Sequence, residues 1–305
     1  MLKPSRLLNG TVWAASGLLL FFAISTRFYA QGSFNGGRAF EDLKHLVSYG
    51  PRPAGSSALA ESRRWVISQL KQTGAPVEED SFTASTPIGE IPMTNVIAKF
   101  PGTRSKVVMV TGHYDTKRFD NFRFVGANDG ASSAALLLEL ARALQGRKHE
   151  LTYWLVFFDG EEAVREWTDT DSVYGSRHLV QKLSADGELG RIQAMILVDM
   201  IGDSHLVIHR EASSTPWLTD LVFTAAHRLG YTREFLDSPS GAGDDHIPFV
   251  NAGVAAVDLI DFDPDDGYWH TVKDTVDHCS PVSLTIVGRV VLAALADLEK
   301  SPHAR

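Results

Sequence analysis

Glu161 and Glu162 are adjacent carboxylates that come shortly after an apolar and aromatic segment, residues 151–158. Such a segment is typical of a buried central strand of a sheet. Open α/β sheets bind ligands at the carboxyl ends of their strands, so the acids are placed where a ligand would bind. One carboxylate could then hold a metal ion while its neighbour transfers protons. A solvated acid pair in a turn is the alternative, and the pair alone does not decide between the two.

Four other positions along the chain add imidazole and carboxylate groups in the same kind of context. They follow predicted strands, open a predicted helix or occupy a late loop: His113 with Asp115, Asp129, Asp199, and His270 after Trp269. Solvation alone does not explain so many such positions in one chain. Imidazole with carboxylate is the ligand mixture that zinc takes in catalytic sites. The pattern therefore favours a metal-dependent enzyme.

The elements that must position these residues alternate along the chain. Apolar periodicity and capping residues predict helices over residues 38–48, 57–70, 131–141, 174–183, 216–229 and 281–298. Short apolar segments predict strands over residues 77–83, 95–100, 106–112, 151–156, 194–198, 205–208 and 254–260. This alternation predicts a single α/β domain with a mainly parallel central sheet and helices on both faces.

Composition limits the possible classes of protein. The 305 residues are 44% hydrophobic, which is ample for the core of one large domain. A net charge of −8, with no cluster of Lys and Arg, argues against nucleic acid as a partner. Cys279 is the single cysteine, so an intrachain disulfide and a thiol-ligated zinc site are both excluded.

The amino-terminal segment differs from the rest of the chain. Lys3 and Arg6 precede an uncharged apolar run over residues 12–24, which is shorter than the ~20 residues of a usual membrane-spanning helix. We therefore expect residues 1–30 to be a signal peptide or a membrane anchor, residues 31–37 a linker, and residues 38–305 the catalytic domain. The domain is expected outside the cytoplasm, either secreted, periplasmic or anchored by this segment.

Taken in order, these motifs resemble those of a known family. His113-x-Asp115, Gly126-Ala127-Asn128-Asp129, Glu161-Glu162, Asp199 and Trp269-His270 are similar to the metal-site motifs of the zinc aminopeptidase-like fold. Within that fold, the stretch around Trp167, residues 171–179 and residues 244–249 resemble the glutaminyl cyclases. The resemblance covers most of the chain between residues 106 and 270.

The resemblance implies a reaction in which the α-amine of an amino-terminal glutamine attacks its own side-chain amide and ammonia is released. In the glutaminyl cyclases, one zinc ion is held by residues that match Asp129, Glu162 and His270. The match implies that Glu161 is the proton shuttle and that Asp199 and Asp244 form a hydrogen-bond network around the reacting nitrogens. Trp167 and Trp269 would wall the substrate pocket, although a tryptophan is more often a core residue.

Two other interpretations stay open at the level of sequence. Peptidases of this fold use the positions of His113 and Asp199 to hold a second zinc ion, so a two-zinc aminopeptidase that hydrolyses the first peptide bond is the main alternative. A binding module with an inactive site is the third, and the complete set of ligands argues against it. The leading interpretation takes peptides or proteins with amino-terminal glutamine as substrates.

Overall fold

An α/β sheet with helices on both faces forms the described part of the chain, residues 34–262 and 267–301 of a computed structural model. These residues belong to one compact unit. The signal peptide or anchor predicted for residues 1–30 lies outside the described residues. The α-helices are α1 (Gly36–Ser48), α2 (Ser57–Gln72), α3 (Ala131–Leu144), α4 (Tyr174–Ala185), α5 (Pro216–Arg228), α6 (His246–Asn251) and α7 (Pro281–Leu298). The strands are β1 (Val77–Thr86), β2 (Gly89–Phe100), β3 (Val107–His113), β4 (Thr152–Phe158), β5 (Ile192–Asp199), β6 (Ile208–Glu211), β7 (Phe235–Ser240) and β8 (Ala256–Ile260).

The main sheet has six strands in the order β1-β2-β4-β3-β5-β8. Strands β4, β3, β5 and β8 are parallel, whereas β1 and β2 form an antiparallel hairpin whose second strand pairs with β4. The predicted fold class is confirmed. Because β3, β4 and β5 run in one direction, His113, Phe158 and Asp199 all stand at the same edge of the sheet.

Strand side chains alternate between two apolar layers. Val108 and Val110 of β3 pack in the larger core with α1, α2, α3, α5 and α7, while Val107 and Met109 pack in a second core with α4 and α6. Successive residues of a strand point to opposite faces, so both faces of a buried strand must be apolar. This explains the unbroken apolar segments in the sequence and keeps the sheet rigid beneath its ligand-bearing edge.

The first helix begins inside the predicted linker over residues 31–37. The side chain of Asn35 accepts a hydrogen bond from the backbone N–H of Arg38 (3.0 Å), and its own N–H donates to Glu139 Oε1 (2.9 Å). Asparagine at this position satisfies an otherwise unpaired N–H of the first turn, so the helix starts at Gly36. The predicted start of this helix, at residue 38, is therefore two residues late.

The strand predicted over residues 205–208 is displaced. Asp203 Oδ1 accepts a hydrogen bond from the N–H of His205 (2.6 Å) in a turn, and β6 begins only at Ile208. Strand β6 then pairs in parallel with β7, which the sequence analysis did not predict. Pro239 and several polar residues in β7 hide it from a search for apolar alternation.

Among residues 34–262 and 267–301, α7 has the length and apolar composition to cross a membrane. More than half of it, 56%, is buried inside the protein. It packs against α1 and α5. Core helices commonly pass the same test of length and composition, so α7 is weak evidence for a membrane span.

Gly175, near the start of α4, provides a test of how closely this helix approaches the end of β4. A Cβ atom on Gly175 would lie 2.6 Å from the backbone oxygen of Asp159, two residues before Glu161. We expect Gly175→Ala to lower the free energy of unfolding by roughly 1–3 kcal/mol, because the contact is with backbone that cannot rotate away. Gly190→Ala is the control, since a Cβ there meets no atom within 4 Å. Urea unfolding curves with equal effects for the two variants would contradict this account.

Candidate metal centre and active site

Two groups of donor atoms meet at the carboxyl edge of the sheet and share Asp129. In one group, His113 Nε2 lies 3.0 Å from Asp199 Oδ1 and 3.2 Å from Asp129 Oδ1. In the other, His270 Nε2 lies 3.2 Å from Asp129 Oδ2 and 3.1 Å from Glu162 Oε1. Within each group the donor atoms lie within 4.8 Å of one another. Asp129 presents one oxygen to each group, so it occupies the position of a bridging ligand.

Each donor reaches this point from a different segment. His113 and Asp199 are the last residues of β3 and β5, and Glu162 follows β4 by four residues. Asp129 lies before α3 in a turn that needs a glycine on each side, since Gly126 has φ 51° and Gly130 has φ 90°. The structure thus brings together all five metal-site residues that the sequence analysis named.

Two buried carboxylates outside the donor groups hold the ligand-bearing turns: Asp115, which the sequence analysis named with His113 in a metal-site motif, and Asp274, to which it gave no role. Asp115 accepts hydrogen bonds from the backbone N–H groups of Glu161 (3.2 Å) and Glu162 (3.4 Å). Asp274 accepts from the N–H groups of Asn128 (2.7 Å) and Asp129 (3.1 Å). Asp274 is four residues beyond His270, so it joins the loop of one ligand to the turn of another. Outer partners of this kind fix the orientation of metal ligands.

Arg52 is a fully buried cation behind the same turns. Its guanidinium donates to backbone carbonyls, including those of Val125 (2.9 Å) and Gly126 (3.2 Å), which lead into the Asp129 turn. Burial lowers the pKa of Arg52 to about 10, and the acids Asp115, Asp274 and Asp129 oppose that shift. Arg52 therefore adds a fixed positive charge beside the Asp129 turn. It binds carbonyl groups at the start of this turn, and Asp274 binds amide groups of the same turn.

Backbone strain is concentrated around the site. Among the described residues other than glycine, Val173, Met200 and His270 have positive φ angles of 44°, 50° and 53°. Such a conformation costs about 1–3 kcal/mol for a residue with a side chain and persists only where the surroundings enforce it. His270 is a metal-donor residue, Met200 follows Asp199, and the N–H of Val173 donates to the carbonyl of Glu161 (2.8 Å).

The charges of the cluster are strongly coupled. Burial disfavours the charged form of His113, yet the nearby Asp199 and Glu161 raise its pKa well above the ordinary value. Burial acts in the same direction on His270, where Glu162 and Asp129 nevertheless raise the pKa to about 10. In each case the carboxylates outweigh the cost of burying the positive charge.

The donor set fits a divalent cation. Five carboxylates of the site are buried: Asp115, Asp129, Glu161, Glu162 and Asp199. Within the described residues, the cations near them are two imidazoles, the buried Arg52 and Lys117, whose Nζ lies 4.0 Å from Glu162 Oε2. Buried carboxylates that outnumber the cations around them are costly unless a further positive charge compensates them. Oxygen and imidazole nitrogen ligands, without thiolate, are a set used by metal ions in hydrolytic and transfer enzymes.

A cavity of about 410 Å³ opens over the donor atoms. Its walls include Trp167, Trp269 and the segment Gly241, Ala242 and Gly243, with Glu161 and Asp244 at its base. The Trp269 indole stacks on His270, with ring centroids 4.2 Å apart. Trp167 is 46% exposed, so it is not a core residue. Both tryptophans that the sequence analysis assigned to a pocket line the same cavity.

Asp244 is a buried carboxylate with an unused oxygen. Its Oδ1 accepts a hydrogen bond from the N–H of Asp245 (2.5 Å), and its Oδ2 has no partner within the described part of the chain. The neighbouring Asp245 Oδ1 accepts from Ser176 Oγ of α4 (2.5 Å), which fixes this loop to the rest of the domain. Burial raises the pKa of Asp244 well above its ordinary value, and Asp199 and Asp245 raise it further.

The fold and the site together define an α/β domain of the metal-dependent aminopeptidase type, with a His, Asp and Glu centre at the carboxyl edge of its sheet. Residues 95–295 match the family described as Peptidase family M28, and the chain belongs to that family. The match spans strands β3 to β8, the second half of β2, all five candidate metal-donor residues and most of α7.

Relatives narrow the class further. A glutaminyl-peptide cyclotransferase-like protein of Bos taurus is 34% identical over 275 residues, which cover 81% of this chain and 72% of the relative. The crystal structure of an Acidobacteriales bacterium glutaminyl cyclase is 39% identical, covers 88% of this chain and 95% of its own, and superposes with a TM-score of 0.84. A Zn-dependent exopeptidase from Parabacteroides distasonis is 26% identical, with coverage of 87% and 99% and a TM-score of 0.78. The resemblance to the glutaminyl cyclases within the aminopeptidase-like fold is confirmed.

The two adjacent glutamates provide a test of the site. Glu162 belongs to a donor group with Asp129 and His270, whereas Glu161 belongs to neither group. We expect Glu162→Gln to weaken metal retention, because one anionic ligand is lost, while Glu161→Gln retains the metal. We also expect Glu161→Gln to reduce turnover by ~10²-fold or more, the usual contribution of a positioned acid or base. Metal analysis after dialysis checks the pair, and equal metal loss in both variants would refute the division of roles.

Proposed function

We propose that this protein is a zinc-dependent glutaminyl-peptide cyclotransferase, which converts the amino-terminal glutamine of peptides and proteins to pyroglutamate and releases ammonia. One observation carries the proposal: a cavity walled by Trp167 and Trp269 is lined by Glu161, which belongs to neither donor group, and by Asp244, whose Oδ2 has no hydrogen-bond partner among the described residues. A small terminal residue fits such a cavity, and the peptide chain beyond it extends outside.

Asp129, Glu162 and His270 would hold the zinc ion. When bound, the ion acts as a Lewis acid that polarises the γ-carbonyl of the substrate glutamine. Three protein ligands are the number that catalytic zinc sites use, since one position must stay available to substrate. Trp269 stacks on His270, and Asp274 in the same loop accepts hydrogen bonds from the Asp129 turn, so the loop of His270 is joined to the turn of a second ligand.

Glu161 is the residue suited to move the proton. It is buried at the base of the cavity, and burial raises its pKa well above the ordinary value, with His113 acting against that shift. A carboxyl group with a raised pKa accepts a proton from the attacking α-amine and returns it to the departing nitrogen near neutral pH. The proton leaves one nitrogen of the substrate and arrives at another, so the reaction needs no external acid or base.

Asp199 and Asp244 hold the reacting nitrogens. Asp199 Oδ1 accepts a hydrogen bond from the N–H of Met200 (2.8 Å), which fixes its carboxylate, and it also lies against His113. The Oδ2 of Asp244, which has no partner in the described part of the chain, is available to accept from an N–H of the substrate. Two acceptors at fixed positions orient the α-amine towards the γ-carbonyl, and intramolecular attack then gains the entropic advantage of proximity.

The indole walls exclude water from these groups. An apolar enclosure lowers the local dielectric constant, which strengthens the interactions of the buried acids with developing charge. It also suppresses attack by water, which would give hydrolysis in place of ring closure. The walls therefore distinguish the proposed reaction from that of an open metallopeptidase site.

A two-zinc aminopeptidase is the second candidate, and the group His113, Asp129 and Asp199 favours it. That group offers a second set of donors, and the similar Parabacteroides distasonis protein is described as a Zn-dependent exopeptidase. The two functions share nearly every residue at the base of the cavity, so they differ in the product and in the number of ions required.

We also propose that the enzyme acts outside the cytoplasm, directed there by residues 1–30. The basic start and the apolar run of that segment support this location. Amino-terminal sequencing of the protein from its own cells separates a cleaved signal peptide from a retained anchor. A full-length protein recovered from the cytosolic fraction would refute the proposed location.

The product of a short peptide that begins with glutamine decides between the two candidates. We expect mass spectrometry to show a loss equal to ammonia with the peptide otherwise intact, and no change in a matched peptide that begins with leucine. The rate should rise from acid to mildly alkaline pH, because the attacking α-amine has a pKa of about 8 and must be deprotonated. Release of free glutamine or free leucine would instead support the aminopeptidase.

The number of zinc ions needed for activity provides an independent test. We expect about one equivalent to survive dialysis and to suffice for full turnover, in keeping with three ligands and one available position. His113→Asn should then retain that equivalent, because His113 belongs only to the other donor group. Two retained equivalents, both required for turnover, would support the two-zinc alternative.

A further inference from the structure

Asp171 is a buried acid that lies between Trp167 and α4 and has no role in the chemistry described above. Its Oδ2 accepts hydrogen bonds from the backbone N–H groups of Arg165 (2.9 Å) and Glu166 (3.0 Å). Its Oδ1 accepts from the N–H of Val164 (2.8 Å) and from the hydroxyl of Tyr174 (2.7 Å). One carboxylate thus accepts hydrogen bonds from three consecutive backbone amides in the segment that leads directly to Trp167.

The loop over residues 164–171 has few other attachments. Residues 165–170 are exposed, and the N–H of Asp171 closes the loop by donating to the Thr168 carbonyl (3.2 Å). Arg177 of α4 donates to the carbonyl of Thr170 (3.2 Å), and the hydroxyl of Ser172 donates to the carbonyl of Thr168 (2.8 Å). Because most of the loop lacks buried apolar contacts, its conformation depends on the bonds to Asp171.

The position of Trp167 has consequences for the cavity because the wall beside it is formed by the small residues Gly241, Ala242 and Gly243. A Cβ atom on Gly243 would lie 3.8 Å from Trp167 Nε1, and Gly241 also lines this wall. The indole is therefore the bulky group that covers this side of the cavity. A displacement of the loop would open the cavity here without moving any metal donor.

We propose that Asp171 is a positioning residue that holds Trp167 over the cavity and so sets how closely the amino-terminal residue of the substrate is enclosed. This inference rests on the proposed function, since it concerns the substrate of that site. It assigns to Asp171 an effect on substrate binding that is separate from metal binding and from proton transfer.

The chemistry of the contact indicates that all four hydrogen bonds to Asp171 are formed at neutral pH. Burial raises the pKa of Asp171, but the Tyr174 hydroxyl and the amides of Arg165, Glu166 and Val164 outweigh burial and lower it. The ionised carboxylate has enough acceptor positions for all four donors. An asparagine has one acceptor oxygen, and its amide group would point hydrogen atoms at backbone N–H groups.

The test compares Asp171→Asn with Asp169→Asn, which makes the same chemical change at an exposed position of the same loop. For cyclisation of a glutamine-initiated peptide, we expect Asp171→Asn to raise KM by about tenfold and to lower kcat by a smaller factor, because contacts that enclose the bound residue are lost. Asp169→Asn should keep both constants. An unchanged KM, or a loss confined to kcat, in a folded Asp171→Asn protein would overturn the proposal.

A double-variant cycle tests whether Asp171 acts through Trp167. If it does, Trp167→Ala and Asp171→Asn together should raise KM no more than Trp167→Ala alone. Effects of the two substitutions that multiply would show that Asp171 acts by another route, and the proposal would fail.

A third measurement does not depend on turnover. The side chain of Arg165 is 62% exposed, so trypsin can reach it once the loop is released. We expect cleavage after Arg165 to become at least about tenfold faster in Asp171→Asn and to stay at the wild-type rate in Asp169→Asn. If the wild type showed no cyclase activity, the proposed function would fail while this measurement still decided whether Asp171 holds the loop.

Tyr174→Phe keeps the test decisive if Asp171→Asn does not fold. It removes one of the four bonds to Asp171 and leaves the three amides in place. We expect a smaller rise in KM and a smaller increase in cleavage after Arg165, with the zinc content unchanged. No change in either quantity would count against the proposal.

Discussion

The excess of buried negative charge around Asp129 is the constraint on which the rest of the site depends. Carboxylates from several segments converge there, and each would be costly to bury without a compensating cation. Two imidazoles, Lys117 and the buried Arg52 supply part of the compensation. The negative charge that these cations leave uncompensated is what a bound metal ion would neutralise, and the side chains accordingly form two groups that could hold a metal ion and share Asp129.

This constraint also explains why so much of the surrounding structure serves to hold backbone in place. Acids that repel one another stay close only if the main chain is fixed, and hydrogen bonds from main-chain amides to Asp115 and Asp274 do this for both ligand-bearing turns. The strained conformations of Met200 and His270 belong to the same arrangement. These strained backbone conformations persist because the parallel sheet and these hydrogen bonds together prevent the turns from adopting another conformation.

Cyclisation and hydrolysis of a peptide bond need similar groups, which is why one fold can support both. In both candidate functions, residues that line the cavity would supply the metal donors and a proton-transferring acid. We propose that the distinction lies in the walls, because Trp167 and Trp269 line the same cavity as Glu161 and Asp244. A site that admits one small residue and little water favours attack by the substrate's own amine.

The sequence by itself determined the α/β fold and the convergence of the metal-donor residues, because apolar strands that end in His, Asp or Glu leave little freedom in a parallel sheet. The predicted starts of α2 at residue 57 and α7 at residue 281 are also confirmed, since capping, here by Ser56 and Ser280, is a local interaction. Only the tertiary structure decided the parts that depend on distant contacts. Asp274 accepts a hydrogen bond from the amide of Asp129, which is 145 residues away in the chain. Strand β7 forms because its backbone pairs with that of β6. The position of Trp167 likewise depends on which backbone amides donate hydrogen bonds to Asp171. A sequence pattern does not predict these bonds, because any acid in the loop has the same chemistry.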